Sequence, residues 1–203
     1  ILPDMPEPKG KPVRCTTFVD ASLMHDKLTG KSATGIIHMV NQTPVEWYSK
    51  KQATVESATY GSEFVAARVA TEQVMDLRYT LRMMGVALDG PSWMFGDNFS
   101  VIVSSNIPHS TLKKRHNAIA YHRVREAIAA KIMHFSHIDG DKNPADILTK
   151  HLDGVKRGSL MRHILSGLGK PGTVVEGSVN ISHLGVAAVA FGAKLPPEGR
   201  GDA

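Results

Sequence analysis

Three short β-rich runs joined by turn-length connections, followed at once by one long helical stripe, constrain this chain more than any other feature. The runs are Thr16-Thr17-Phe18-Val19-Asp20, Gly35 to Val40 and Val45 to Tyr48, with Gly30 and Asn41-Gln42-Thr43-Pro44 marking the turns. Strands so close in sequence predict an antiparallel meander, because parallel neighbours need long crossovers. Tyr60, Phe64, Ala67, Val74, Leu77, Leu81 and Met84 then recur at spacings of three, four or seven. That is the period of one apolar face on a helix of roughly 25 residues.

Beyond Gly85 and Gly90 the pattern changes again. Trp93-Met94-Phe95 reads as a buried strand, Asn98 to Ser104 as a short helix, His116 to Ala130 as a helix and Ile132 to Ile138 as a fifth strand. Pro144 suits the first position of a helix running to about Leu152. The order predicts an α/β fold with a five-stranded mixed sheet flanked by helices. Residues 1–14, with Pro3, Pro6, Pro8 and Pro12, read as a linker from an upstream region; residues 15–152 form the domain. Residues 153–203 read as a tail, partly helical or disordered, with Lys156 to Leu165 as its candidate helix. Trp47, Trp93, Met83, Met84 and Met94 are expected in the core.

Composition narrows the function classes. With 203 residues and 42% apolar content the chain can bury a real core. Its single cysteine, Cys15, excludes an internal disulfide framework and a multi-cysteine zinc module. An intracellular setting, cytoplasm or nucleus, is therefore expected, with no signal peptide and no membrane partner. The longest apolar run, Leu184 to Ala193, is interrupted by two glycines and is too short to span a bilayer. Starting at Ile1, the chain is expected to be a piece of a longer reading frame. The ten histidines offer no good ligand spacing: His134 and His137 point to opposite faces of their strand. No Gly-x-Ser-x-Gly elbow, Walker loop or dinucleotide fingerprint occurs.

What remains is a set of acids in telling places. Asp20 and Asp97 stand at the ends of separate strands, Asp146 begins a helix after a third, and Glu63 lies early in the long helix. If the first and fourth strands are neighbours, these acids converge at one sheet end. Clustered carboxylates repel unless divalent cations hold them, and an all-oxygen set suits Mg²⁺ or Mn²⁺. The same acids can instead cap helices or face solvent, and spacing alone leaves both readings open. Between Ser110 and Lys131 six Lys or Arg residues stand against one acid, within a chain of net charge +5. Such a segment can neutralise phosphates or simply form a solvated helix face.

Taken together, Thr17-Phe18-Val19-Asp20-Ala21, Trp47-Tyr48-Ser49-Lys50-Lys51-Gln52, Gly61-Ser62-Glu63-Phe64-Val65-Ala66, Gly96-Asp97-Asn98, Leu112-Lys113-Lys114-Arg115-His116-Asn117 and Asn143-Pro144-Ala145-Asp146-Ile147-Leu148-Thr149-Lys150 form a recognisable series. In order and content it resembles the ribonuclease H region of copia-type retrotransposon Pol polyproteins, over about residues 14 to 152. The resemblance implies a ribonuclease H-like fold and cleavage of the RNA strand of RNA–DNA hybrids. It implies that Asp20, Glu63, Asp97 and Asp146 bind two Mg²⁺ ions, with Mn²⁺ as a substitute. Glu63 rather than Glu56 holds the family position, and Asp146 rather than Asp139 or Asp141. Lys50, Lys51, Asn98, Lys113, Lys114, Arg115 and His116 are the expected nucleic-acid contacts, and a covalently linked reverse transcriptase is expected upstream. The chain departs from the family at Ser22, where a second acid is frequent, and at Phe99, where a small polar or acidic residue is common. His137 is left outside the catalytic set. The alternative reading is a decayed or domesticated copy that keeps the fold and the basic face without cutting.

Overall fold

The computed structural model describes residues 6–112 and 115–165. Strands β1 (Lys9–Val13), β2 (Cys15–Asp26), β3 (Lys31–Val40) and β4 (Thr43–Lys51) lead into helix α1 (Thr59–Met83). Strands β5 (Val86–Leu88) and β6 (Ser92–Gly96), helices α2 (Phe99–Asn106) and α3 (Ala118–Ala129), strand β7 (Met133–His137) and helix α4 (Gly154–Leu165) complete the order. The main sheet runs β4-β3-β2-β6-β7, and β1 pairs with β5 in a separate two-stranded ribbon. Strands β2, β3 and β4 form the expected antiparallel meander, while β6 joins β2 in parallel and β7 joins β6 in parallel. The five-stranded mixed sheet is thus the one the sequence predicts. Strand β1 lies inside the span read as a linker.

Alternation along β2 divides the core in two. On one face Val19, Ala21 and Ile36 meet Phe64, Ala67, Ala70 and Val74 of α1, with Tyr121 and Val124 of α3 behind. On the other, Phe18, Ile37, Met39, Phe95 and Ile138 form a second cluster that includes Ala145. Phe64 is fully buried and sits 5.0 Å from Tyr60 and 5.7 Å from Tyr121. Complete burial of such a ring contributes about 1.5–3 kcal/mol. His38 is a polar tie through the first layer. Its Nδ1 lies 2.8 Å from Thr17 Oγ1 and its Nε2 3.1 Å from Gln73 Oε1. Burial, the dominant effect, lowers its pKa, which suits a neutral ring with both nitrogens engaged.

Several expectations need correction. Trp47 is 69% exposed: it pairs with Ile37 on the second face, but β4 is the edge strand and the covering elements stop short of it. Pro44 fits the same edge, where no ladder donor is missed. Met83 and Met84 are also exposed, because the end of α1 runs past the core; Met94 is fully buried, and Trp93 only half-buried. The helix expected from Pro144 to Leu152 is a short 3-10 turn, Pro144–Leu148. Ser49 Oγ donates to Leu148 O at 2.7 Å, so a tertiary bond replaces the next helical one. Asp153 Oδ1 then accepts from Lys156 N at 2.8 Å and starts α4 afresh.

Gly35 decides how closely that turn approaches the sheet. It stands opposite Asp20 in the β2–β3 ladder. A Cβ there would lie 2.6 Å from Thr149 Cγ2, 2.8 Å from Ala145 O and 3.0 Å from Leu148 Cβ. Gly35→Ala is expected to destabilise the chain by about 1–3 kcal/mol in urea denaturation, because backbone and not a flexible tip must move. Gly158→Ala, in α4 with nothing within 4 Å of its Cβ, is expected to stabilise by about 0.4–1 kcal/mol.

Candidate active site

Each acidic side chain is delivered by a different element. Asp20 lies within β2, Glu63 in the second turn of α1, Asp97 just past β6, and Asp146 in the 3-10 turn after β7. Parallel pairing of β2 with β6 brings the first and third together, since Phe18 is level with Phe95. One ligand oxygen from each of Asp20, Glu63 and Asp97 lies within 4.8 Å of the other two. Glu56, the alternative to Glu63, is buried elsewhere and meets His116 Nε2 at 3.2 Å.

Asp146 is tied to the group through shared partners. Asn143 Nδ2 donates to Val19 O at 2.9 Å, and Asn143 Oδ1 caps the turn by accepting from Ala145 N at 3.1 Å. The turn is thereby pinned beside β2. Thr149 Oγ1 donates to Asp20 Oδ2 in a short bond. Lys150 Nζ bridges Asp20 Oδ1 at 3.1 Å and Asp146 Oδ1 at 2.7 Å, and Lys156 Nζ reaches Asp146 Oδ2 at 3.0 Å. A cleft of about 320 Å³ opens over Glu63, Asp97 and Lys150, with Ser22, Thr59 and Asn98 on its walls.

The electrostatics are those of a site short of positive charge. Burial pushes the Glu63 carboxyl well above its ordinary pKa, and the charges of Asp20 and Asp97 add to the rise. Burial likewise raises Asp20, against the pull of Lys150 and the Thr149 hydroxyl, while Asp146 and Asp97 reinforce it. Asp97 is raised by burial and Asp146, with Lys150 opposing. Burial works against the Lys150 ammonium, but Asp20 and Asp146 outweigh it and hold its pKa above the usual lysine value. Two buried carboxylates and a half-buried third, of which only Asp20 meets an ammonium, fit a divalent cation: all donors are hard oxygens, and their repulsion is what such an ion relieves. Asp20, Glu63 and Asp97 are the residues that would hold it.

The remaining site residues are more dispersed. Asn98 caps α2, its Oδ1 accepting from Val101 N at 3.2 Å, and it also lines the cleft. Lys50 and Lys51 are exposed on β4, where Lys51 pairs with Asp26 at 2.8 Å. Arg115 and His116 are exposed ahead of α3; Lys113 and Lys114 lie outside the described residues. His137 Nε2 lies 3.0 Å from Asp97 O, and its ring stands edge-on to the exposed Phe99 at 5.9 Å. Sequence reasoning assigned no role to Asn143, Thr149, Lys150 or Lys156. The first three belong to the motif block around Asp146, which is the signal that marks them. Lys156 lies beyond that block and carries no such signal.

No protein-family model matches the chain. It is 27% identical over 146 residues, 71% of its length, to the retrovirus-related Pol polyprotein from transposon RE1 of Arabidopsis thaliana. It is 27% identical over 133 residues, 66% of its length, to that from transposon TNT 1-94 of Nicotiana tabacum. Its relatives are retrovirus-related Pol polyproteins of plant transposons. The chain spans about a tenth of the length of those two, 10% in each case. Among solved structures, ribonuclease H1 from Halobacterium salinarum NRC-1 superposes with a TM-score of 0.51 at 15% identity, covering 67% of this chain and 94% of that one. LC11 ribonuclease H1, solved in complex with an RNA/DNA hybrid, gives 0.50 at 15% identity, covering 68% and 93%. The fold is that of ribonuclease H.

The charge frustration has a measurable sign. An acid whose folded pKa is raised binds more protons folded than unfolded, so it costs stability as pH rises from the ordinary carboxylate range through the folded value. Glu63→Gln removes that cost. In chelator, its thermal midpoint is expected to exceed that of the parent by at least ~2 °C at neutral pH, with the gap closing below about pH 4. A gap independent of pH is the result that counts against this account.

Proposed function

We propose that this chain is a divalent-metal-dependent ribonuclease H, an endonuclease that hydrolyses the RNA strand of RNA–DNA hybrids as part of a retrotransposon Pol polyprotein. The observation that carries the reading is the convergence of Asp20, Glu63 and Asp97, with ligand atoms within 4.8 Å, on a ribonuclease H fold. The burial of Asp146 at the adjacent turn, joined to Asp20 through Lys150, supports its reading as the fourth carboxylate. The Pol polyprotein relatives support a covalent reverse transcriptase neighbour, and the hybrid bound by LC11 ribonuclease H1 supports the substrate class. An intracellular location accords with such a substrate.

Two Mg²⁺ ions, or Mn²⁺ in their place, would supply an activated water and charge compensation at the leaving oxygen. The protein's part is to hold the acceptors rigid. Asp20 is fixed by Thr149 and Lys150, Glu63 accepts from the Ala21 backbone, and Asp97 sits at the end of a buried strand. Water adds to the phosphorus and the P–O3′ bond breaks, leaving a 5′-phosphate on one RNA fragment and a 3′-hydroxyl on the other. Lys50, Lys51, Lys113, Lys114, Arg115 and His116 serve as phosphate contacts, and Asn98 lies at the cleft itself. Hybrid selection rests on groove shape and 2′-hydroxyls rather than base sequence. Among the described residues, no helix is long and apolar enough to cross a membrane.

The test is cleavage of a labelled hybrid by the purified chain, with Mg²⁺ and with chelator. Only the RNA strand is expected to shorten, and only with metal. Asp97→Asn is expected to lower the rate more than ~100-fold while hybrid affinity stays within about twofold, since the ligand and the phosphate contacts are separate residues. A variant that cuts like the parent removes Asp97 from the site. Hybrid binding without any cleavage by the parent favours the decayed, binding-only reading instead.

A further inference from the structure

Among the four carboxylates, Asp146 alone has each oxygen on a different lysine among the described residues. Lys150 lies 2.7 Å from Oδ1 and Lys156 3.0 Å from Oδ2. Lys150 also reaches Asp20 Oδ1 at 3.1 Å, so its ammonium stands between two carboxylates as a bridging cation would. Asp146 is correspondingly absent from the tight group formed by Asp20, Glu63 and Asp97.

Lys156 is placed there by construction. It belongs to the first turn of α4, where its backbone N–H donates to Asp153 Oδ1 at 2.8 Å. Helix α4 is anchored by Leu160, which is 1% exposed, and by Ile164 against the second core cluster. The Lys156 ammonium also meets Asp141 Oδ1 at 3.0 Å and Gly140 O at 3.4 Å. Three acceptors, one each from Gly140, Asp141 and Asp146 of the preceding loop and turn, therefore fix one side chain of α4 at Asp146. These contacts orient Lys156 without touching Asp20, Glu63 or Asp97.

We propose that Lys150 and Lys156 act as built-in competitors for a divalent cation at Asp146, and that α4, through Lys156, sets how readily that position fills. The proposal rests on the metal-centre reading above. At the position formed by Asp20, Glu63 and Asp97, only Asp20 meets a lysine among the described residues, and Glu63 and Asp97 face an ion without one. The position between Asp20 and Asp146 fills only when Lys150 gives way, and Lys156 holds the carboxylate turned toward the lysines. Lys150 and Lys156 are in this sense positioning residues, acting through Asp146.

Direct Mn²⁺ titration of the full chain, followed by calorimetry and by the paramagnetic signal of free Mn²⁺, tests this without reference to turnover. The parent is expected to bind one ion more tightly than a second. Lys156→Met is expected to tighten the second by about three- to tenfold and leave the first within about twofold, the scale of losing one partly exposed ion pair. Lys156→Arg keeps the charge and is expected to match the parent. Lys150→Met is expected to tighten the second site at least as much as Lys156→Met. Unchanged second-site affinity in both methionine variants overturns the competition. Two equal sites in the parent do so as well. Failure of the parent to bind any Mn²⁺ overturns the metal-centre reading itself, a separate outcome that the first titration reveals.

Discussion

Parallel pairing of β2 with β6 sets two carboxylates side by side at one end of the sheet, and the rest of the molecule is arranged around that juxtaposition. Both strands are buried on both faces, so neither can slide without exposing Phe18 and Phe95 or Val19 and Met94. Asp20 and Asp97 inherit that rigidity. Glu63 joins them because α1 buries Phe64, the residue next along, in the core against Val19 and Ala21, the neighbours of Asp20 in β2. The register of apolar side chains therefore fixes the separation of charged ones, and packing energy opposes the repulsion that would drive the acids apart.

That repulsion is not trivial. Asp20 is fully buried, Glu63 and Asp146 nearly so, and an uncompensated carboxylate in such surroundings shifts toward its neutral form. The chain relieves part of the strain with its own cations. Lys150 serves Asp20 and Asp146 together, and Lys156 serves Asp146. Glu63 has a backbone N–H from Ala21 and no cation within ion-pair distance among the described residues. The residual deficit is concentrated at Asp20, Glu63 and Asp97, the place where a divalent ion gains most. A site built this way trades stability in the metal-free state for affinity toward metal.

Much of this was legible in the sequence because it depends on local order. The five strands, their mixed pairing and the long helix follow from periodicity and turn residues between Thr16 and Ile138. Asp97 was visible as an acid at a strand end; Asp20 was read the same way, but β2 runs on to Asp26 and leaves it within the strand, while the choice of Glu63 and Asp146 came from the motif blocks around them. What escaped depends on where elements stop in space. Trp47 alternates correctly on β4, yet its face is uncovered at the sheet edge, and no local pattern encodes that. Met84 continues the α1 stripe past the last residue it can pack against. The turn at Pro144–Leu148 has a helical start, but Ser49 takes the Leu148 carbonyl from a strand 99 residues away, and the helix ends. Gly35 reads as a strand residue; that its missing side chain admits Thr149 is a fact about a partner far along the chain.

The same logic explains why the segment after β7 has to be built from turns. Asp146 must face Asp20 from an element that is not part of the sheet, and a continuous helix from Pro144 would direct Thr149 and Lys150 according to its own period. A 3-10 turn pinned by Asn143 to Val19 O leaves both free to reach Asp20 instead, one through a hydroxyl and one through an ammonium. Asp153 then begins a second helix, which brings Lys156 back over Asp146 from the opposite side. The break in the helix is thus what allows two lysines, six residues apart, to bind the two oxygens of one carboxylate. Fourth-carboxylate geometry and α4 are consequently a single structural unit, and a change in the seating of α4 is felt first at Asp146.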